Sequence, residues 1–319
     1  MAVTAAPDAI PLYPRRRLVG TTSGGATSIR RGGRADAASS RPYRPGDHFR
    51  SIDWKASARL SSARDDDEFI VRERHAEEMP AVVIVADRRP GMALYPQELP
   101  WLHKPEALRA IAQLLIRSAL NHRALVGYVD LATHPGESDA GTAFWRTPRS
   151  EASTWLPGLR EGIDGWFSER FDAPDDNVAL ALEFLATRRS AVPLGSFLFV
   201  LSDFVVPPPD DVWSHALARG WDVVPVIVQD PVWEQSFPDI EGVLISLADA
   251  DGGAAQRVRL GRRQVAERRA ANEGRLARLR SDLVRLGLEP VLVGSADRDD
   301  VQAVFLDWAQ TRLEVGRVG

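Results

Sequence analysis

The sequence predicts an α/β protein in which helices cover both faces of a mostly parallel β-sheet. Residues 81–87, 197–203 and 222–229 are short, almost continuously apolar segments, as expected for strands buried on both faces. Amphipathic segments such as residues 106–122 separate them, which is the alternation typical of α/β sheets. Past residue 230 the alternation weakens, so the last part of the chain is expected to add elements to this core.

Each element rests on a local pattern. Apolar residues recur at helical spacing in residues 106–122, and four leucines form one stripe in residues 262–286. The Asp-Gly turn near residues 249–253 separates two short apolar segments and predicts a hairpin of residues 243–247 and 256–260. The remaining strands are expected at residues 125–130, 144–145 and 290–294, and the remaining helices at residues 177–189, 210–219 and 297–313.

Composition limits the possible functions. The chain has 319 residues, of which 44% are hydrophobic and 26% charged, so it can bury a sizeable core. It contains no cysteine, which excludes disulfides, thiolate metal sites and cysteine nucleophiles. The net charge of −4 disfavours nucleic-acid binding by the whole protein, although a local basic face could exist. No segment has the run of roughly 18 apolar residues that predicts a membrane span.

The N-terminal residues 1–40 are rich in Gly, Ala, Ser and Arg and show no sustained apolar period, so we expect a flexible Gly/Arg-rich arm. Their basic cluster follows a short apolar stretch, the reverse of the order in a secretory signal, which favours a cytoplasmic location.

The densest pattern of the chain is RPYRPGDHFRSIDWKASAR, residues 41–59, in which charges alternate with aromatic residues around a Pro-Gly-Asp turn. We expect residues 41–79 to form an extension that packs through apolar anchors. The expected anchors are Phe49, Ile52, Trp54, Phe69 and Ile70. The residues of the pattern itself that are candidates for an interaction surface are Arg41, Tyr43, Arg44, Gly46, Asp47, Arg50, Asp53, Trp54 and Arg59.

This pattern, followed by the apolar strand at residues 81–86, resembles the bacterial family called domain of unknown function 58. The resemblance extends from about Thr21 through most of the chain. It implies a von Willebrand factor A-like, Rossmann-type, doubly wound sheet with an N-terminal β-rich signature extension and a C-terminal hairpin plus helices. The expected divisions are the arm (1–40), the signature extension (41–79), the von Willebrand factor A-like core (80–235) and a hairpin and C-terminal helical region packed on the core (236–319).

The resemblance also implies a position for a divalent cation, because such domains carry Asp-x-Ser-x-Ser after the first strand, completed by a threonine and a second aspartate. Here Arg89 and Gly91 replace the two serines that follow Asp87. Asp203 fits the second aspartate, and Asp176 and Asn177 fall near the threonine position. We therefore expect a degenerate metal site in which Arg88 or Arg89 bridges Asp87 and Asp203, since guanidinium pairs well with carboxylates. Alternatively, both arginines point into solvent.

Other chemistries have less support. The six histidines lack the spacing of a zinc hydrolase, and no phosphate-binding Gly-rich loop or Gly-x-Ser-x-Gly motif occurs. The acidic run at residues 65–68 is more typical of a solvated patch than of a metal site. We therefore expect no enzyme activity and no cofactor.

Two interpretations of the signature segment stay open. Asp47 and Asp53 can pair with Arg50 and Arg59 to fix the extension, or Trp54 and the arginines can form an interface hot spot. By resemblance, the protein is expected to be a non-catalytic adaptor that partners a MoxR-type AAA ATPase and handles protein clients. The alternatives are a metal-dependent adhesion module and a nucleic-acid-associated protein that uses the Arg-rich arm and the Arg-rich helix at residues 262–285. On that helix, a solvated basic face is favoured.

Overall fold

The computed structural model describes residues 9–14, 39–42, 54, 57, 69–73, 81–93, 101–149, 170–188, 190–240, 242, 244–247 and 256–318. The chain forms two compact units. One contains Met1–Arg16 with Pro80–Gly319, and the other contains Arg17–Met79. Residues 236–319, expected to pack on the core, fall in the same unit as residues 80–235.

The smaller unit contains strands β1 (Ser39–Pro42) and β2 (Ile70–Glu73), which pair antiparallel with Ser39 opposite Glu73. The rings of Trp54 and Phe69 meet edge to face at 5.8 Å. Trp54 is 60% exposed and Phe69 43% exposed, so the expectation that both are inward anchors is wrong: the two rings cover each other only in part.

The larger unit contains the remaining elements. The strands are β3 (Ala81–Ala86), β4 (Leu125–Asp130), β5 (Phe144–Arg149), β6 (Phe197–Ser202), β7 (Asp222–Val228), β8 (Leu244–Leu247), β9 (Gln256–Arg259) and β10 (Val291–Val293). The helices are α1 (Lys104–Asn121), α2 (Asn177–Ala186), α3 (Asp210–Ala218), α4 (Arg262–Arg285) and α5 (Arg298–Val318), and a 3-10 turn covers Pro90–Ala93.

Six strands form one mixed sheet in the order β10-β7-β6-β3-β4-β5. Its pairs are parallel except for β4 and the edge strand β5, which are antiparallel. The chain adds β4 on one side of β3 and later β6 on the other, so the strand order reverses at β3. Such a reversal opens a crevice at the carboxyl ends of the strands, where α/β proteins place their functional sites.

Helices cover both faces of this sheet. On β3, Val82, Ile84 and Ala86 pack with α1 and α5, whereas Val83 and Val85 face α2, α3 and α4. Because successive side chains of a strand point to opposite faces, a strand covered on both sides must be apolar throughout. The α/β class with helices on both faces is therefore confirmed, and strands β8 and β9 pair antiparallel as the expected hairpin.

Residues 9–14 correct the prediction of a flexible arm. Ile10 and Leu12 are fully buried in the core cluster on the α1 and α5 face. The Ile10 amide donates to Ser118 Oγ at 2.9 Å, and Arg312 donates to the Tyr13 carbonyl at 3.1 Å. Alternate apolar side chains and these hydrogen bonds fix the segment to the helices. In the described part of the chain, no helix is both long enough and apolar enough to cross a membrane.

Candidate functional site

The candidate site lies at the carboxyl ends of β3 and β6, where Asp87 and Asp203 follow two adjacent parallel strands. The Arg89 guanidinium lies between the two carboxylates. Its Nη2 donates to Asp87 Oδ2 at 2.7 Å and to Asp203 Oδ1 at 2.5 Å, and its Nε contacts both Asp87 oxygens at 3.1 Å. Of the two arginines expected to form this bridge, Arg89 forms it.

Neighbouring elements supply further donors to Asp87. Ser202 Oγ, at the end of β6, donates to Asp87 Oδ2 at 2.6 Å. Asn177, the first residue of α2, donates from Nδ2 to Asp87 Oδ1 at 3.0 Å. Because Asp87 is fully buried, these bonds replace the water that an exposed carboxylate would bind.

A second cation reaches the site from the first residue of α1. Lys104 Nζ donates to Asp203 Oδ2 at 2.9 Å and also contacts Glu234 Oε1. Glu234 in turn accepts from the Asp230 amide through Oε2 at 2.7 Å. We call Asp87, Arg89, Lys104, Asp203 and Glu234 the edge cluster.

Arg89 and Asp203 stabilise each other's charged forms. Burial by itself disfavours the charged form of Arg89, but hydrogen bonds and charge attraction from Asp87, and then from Asp203, outweigh it and raise the pKa of Arg89. Burial likewise opposes ionisation of Asp203, yet the charges of Lys104 and Arg89 lower its pKa below the ordinary value. Burial raises the pKa of Glu234, and Lys104 offsets this only in part.

The residues present do not fit a divalent cation. A hard cation needs free carboxylate or hydroxyl oxygens arranged around one point. Here the point between Asp87 and Asp203 holds the Arg89 guanidinium, and the oxygens of both aspartates accept hydrogen bonds from protein groups. Within the described residues, no group of three or more His, Cys, Asp or Glu side chains is arranged to hold a metal ion.

A second buried cluster lies at the carboxyl end of β4, the strand next to β3. Asp130 accepts from Tyr128 OH at 2.6 Å and from the Ala132 amide at 3.0 Å, and it contacts His134 Nε2 at 2.9 Å. Arg88 Nε lies 3.9 Å from Asp130 Oδ2. Burial, and next the charge of Asp130, raise the pKa of Tyr128 well above its usual value. We call this set the Asp130 cluster.

Two other predicted site residues have peripheral positions. Gly91 lies in the 3-10 turn, and a Cβ added there would meet no atom within 4 Å, so its small size is not required. Asp176 is exposed immediately before α2, and the residue that contacts Asp87 from this helix is Asn177. The start of α2 therefore places the side-chain amide of Asn177, and not the carboxylate of Asp176, against Asp87.

The signature residues lie mostly outside the described part of the chain. Arg41 lies in β1 and Trp54 is exposed. The residues whose structure is not described are Tyr43, Arg44, Gly46, Asp47, Arg50, Asp53 and Arg59.

Sequence reasoning missed Lys104, Glu234 and Ser202 as members of this site. Lys104 carried one usable signal: it is one of only two lysines among 40 basic residues. A compact ammonium on a flexible stem can contact two carboxylates that the planar guanidinium fork would fit less well. Glu234 lies in an irregular segment after β7 and carried no recognisable pattern.

The fold and the site together define an α/β protein with an ion-paired cluster at the switch point of its sheet. The chain belongs to the family described as protein of unknown function DUF58, whose model matches residues 39–278. No curated protein matches the chain.

Three solved structures are similar at low identity. The conserved hypothetical protein BatB from Bacteroides thetaiotaomicron has 15% identity and a TM-score of 0.37, over 74% of this chain and 99% of that chain. An aerotolerance-related membrane protein from Bacteroides fragilis NCTC 9343 has 18% identity and a TM-score of 0.38, over 70% and 96%. The pilus adhesin SpaC from Lactobacillus rhamnosus GG has 12% identity and a TM-score of 0.43, over 73% of this chain and 30% of that chain.

Proposed function

We propose that this protein is a non-catalytic adaptor with a von Willebrand factor A-like core, and that it partners a MoxR-type AAA ATPase in the assembly or maturation of other proteins. The observation that carries the proposal is the Arg89 bridge between Asp87 and Asp203. The bridge is consistent with a core that keeps the two aspartates of a cation site. In that core the guanidinium of Arg89 supplies the positive charge in place of a metal ion.

The position of the bridge supports the von Willebrand factor A-like assignment. Asp87 directly follows β3, the first strand of the large sheet in chain order, and Asp203 follows the neighbouring strand β6. These are the two places where the resemblance to the family locates the aspartates. Arg89 occupies the position of the first serine of that pattern.

The buried bridge also favours a non-catalytic role. Arg89 is 5% exposed and Lys104 2% exposed, so neither cation can reach a substrate without a rearrangement of the site. Asp87 and Asp203 are buried and hydrogen-bonded on both oxygens, which leaves no free carboxylate poised to abstract a proton. A fixed ion-paired cluster suits a rigid platform for protein contact better than a reaction centre.

Calorimetry tests the absence of a functional cation. Mg²⁺, Mn²⁺ and Ca²⁺ titrated into the purified full-length protein are expected to give only heats of dilution. The matched sample is Asp203→Asn, which removes one candidate ligand and should give the same flat trace. Saturable heat in the wild type that disappears in Asp203→Asn would contradict the proposal and favour a metal-dependent adhesion module.

A binding experiment tests the partner. The purified protein is expected to bind a purified MoxR-type AAA ATPase in a pull-down. The double variant Arg44→Ala with Trp54→Ala should weaken the complex and leave the thermal transition in place, because Trp54 is 60% exposed. Arg285→Ala, an exposed arginine on α4, is the control and should bind normally. Absence of a complex in the wild type would reject the ATPase partnership.

A further inference from the structure

Exposed valines lie beside the buried edge cluster, at the carboxyl ends of β6 and β7. Val205 and Val206 follow β6 and are 48% and 40% exposed, and Val232 follows β7 and is 50% exposed. Because β6 and β7 are adjacent and parallel, their carboxyl ends lie side by side. We call these three residues the valine patch.

The edge cluster and its neighbour Asp230 hold the backbone of the valine patch. The Val205 amide donates to Asp203 Oδ1 at 3.0 Å, and the Val232 amide donates to Asp230 Oδ1 at 2.8 Å. Asp203 is itself held by Arg89 and Lys104. The exposed side chains therefore lie on loops whose backbone is held by buried carboxylates, which lowers the entropic cost of binding a partner.

The chain bends sharply before Val205. Phe204 has a φ of 51°, a left-handed backbone conformation that is unfavourable for a bulky residue. Its ring is buried against Trp213 at 5.9 Å, and its amide donates to Ser202 Oγ at 2.9 Å. Such a conformation persists only where the surroundings fix it, and here it turns the backbone so that Phe204 is buried and Val205 is exposed.

Acidic residues flank the valine patch on both sides. On the side of β3, Asp175 and Asp176 are exposed immediately before α2, whose first residue contacts Asp87. On the side of β10, Asp297, Asp299 and Asp300 are exposed at the start of α5. The strand order β10-β7-β6-β3 therefore places carboxylates at both ends of an apolar centre.

The loops after β7 and β10 are also in close contact. A Cβ added at Gly294 would lie only 2.7 Å from Cγ of Pro231, the residue before Val232. This contact brings the start of α5 close to the valine patch. The nearby cation Arg298 is exposed on the same turn and donates to Gln113 at 3.3 Å.

We infer that the valine patch and its flanking aspartates bind a protein segment in which an apolar side chain is flanked by lysine or arginine. The valines would cover the apolar side chain, and Asp175, Asp176, Asp299 and Asp300 would attract the basic residues. An anionic membrane or a nucleic acid would be repelled by the same carboxylates. The inference rests on the proposed adaptor function and specifies the chemistry of its partner.

Fluorescence anisotropy on the full-length protein tests the inference with three pools of short labelled peptides. One pool has an apolar centre with basic flanks, the second an apolar centre with acidic flanks, and the third a serine centre with basic flanks. The wild type is expected to bind only the first pool, and added salt should weaken that binding.

The valine variants give the decisive comparison. Val205→Ser with Val232→Ser should bind the first pool about tenfold or more weakly, because two apolar contacts are lost. Val284→Ser changes a 61% exposed valine on α4 and should bind like the wild type. Both variants should keep the wild-type thermal transition, since the changed side chains are exposed.

Equal affinity for all three pools, binding of no pool, or wild-type affinity in the double valine variant would overturn the inference. These outcomes differ from a failure of the proposed function. If the ATPase complex forms and requires Trp54 but no peptide pool binds, the adaptor function stands and the valine patch does not bind a segment of this chemistry. If cations bind at Asp203 and no ATPase complex forms, the proposed function itself fails.

Discussion

The edge cluster and the Asp130 cluster compensate buried aspartates with different groups, although the aspartates lie at the carboxyl ends of strands in the same sheet. Asp203 is held by Arg89 and Lys104, two groups that stay positively charged over the ordinary pH range. Asp130 is held at hydrogen-bonding distance by the Tyr128 hydroxyl, the Ala132 amide and the His134 ring, with Arg88 farther away at 3.9 Å.

The difference determines how much stability each cluster loses when one partner of its aspartate is removed. A buried carboxylate that is compensated mainly by cations loses much of its compensation when one cation is removed. A carboxylate that shares its compensation among several hydrogen-bond donors loses less with each one. The edge cluster is therefore the more important of the two for stability, and its two cations keep their charge over the ordinary pH range.

The largest expected effect comes from Arg89→Ala. This variant leaves Asp87 and Asp203 buried without their shared cation, which should lower the free energy of unfolding by about 3–5 kcal/mol. Denaturant unfolding of the purified protein measures the change.

Two further variants control this experiment. Arg285→Ala removes an arginine whose side chain is 59% exposed and should leave the unfolding midpoint unchanged. Asp203→Asn added to Arg89→Ala should restore part of the lost stability, because it removes one uncompensated charge. An Arg89→Ala protein as stable as the wild type would show that the bridge is dispensable and would remove the contrast between the two clusters.

Tyr128→Phe should have an intermediate effect on the Asp130 cluster. It removes one hydroxyl donor and leaves the Ala132 amide and His134 in place, so the expected loss is about 1–2 kcal/mol, smaller than that of Arg89→Ala. The same denaturant experiment measures it. A loss as large as that of Arg89→Ala would mean that the Asp130 cluster depends on Tyr128 as strongly as the edge cluster depends on Arg89.

The smallest expected effect is a change in pH dependence at Glu234. Its folded pKa is raised above the ordinary 4.5, so the stability it contributes is present below that pH and is lost as the pH rises through the folded value. Asp203 acts in the opposite sense: its pKa lies below the ordinary 3.8, so its contribution is present above that pH and is lost in more acidic solution.

Unfolding free energies measured across a pH series should therefore separate the two groups. Glu234→Gln should remove the decline in stability just above pH 4.5, and it should keep the loss of stability below pH 3.8. An identical decline in the wild type and in Glu234→Gln would assign that pH dependence to another group.

The sequence predicts much of the fold because the buried strands have distinctive patterns. The segments of β3, β6 and β7 are apolar on both faces, and the helices between them show a 3.6-residue period. The burial of residues 9–14 was not predicted, because six residues that include two prolines are too few to show a helical or strand period. Their burial depends on contacts with Ser118 and Arg312, more than 100 residues away in the chain.

The site was predictable where it depends on strand ends. Asp87 and Asp203 directly follow strands, so their proximity follows from parallel pairing, and Arg89 was a natural bridge. Lys104 and Glu234 come from a helix start and an irregular loop whose positions only the tertiary fold determines. The choice of Asn177 over Asp176 depends on a single residue of helix register, which is the least predictable feature of a sequence.

The Arg89 guanidinium is the cation between Asp87 and Asp203. Anomalous diffraction from a crystal soaked in Mn²⁺ tests it most directly, because it shows both the side chain and any ion at the same point. We expect planar guanidinium density in contact with both carboxylates and no anomalous peak there. A manganese peak with octahedral ligands from Asp87, Asp203 and water, and Arg89 displaced from between them, would contradict it.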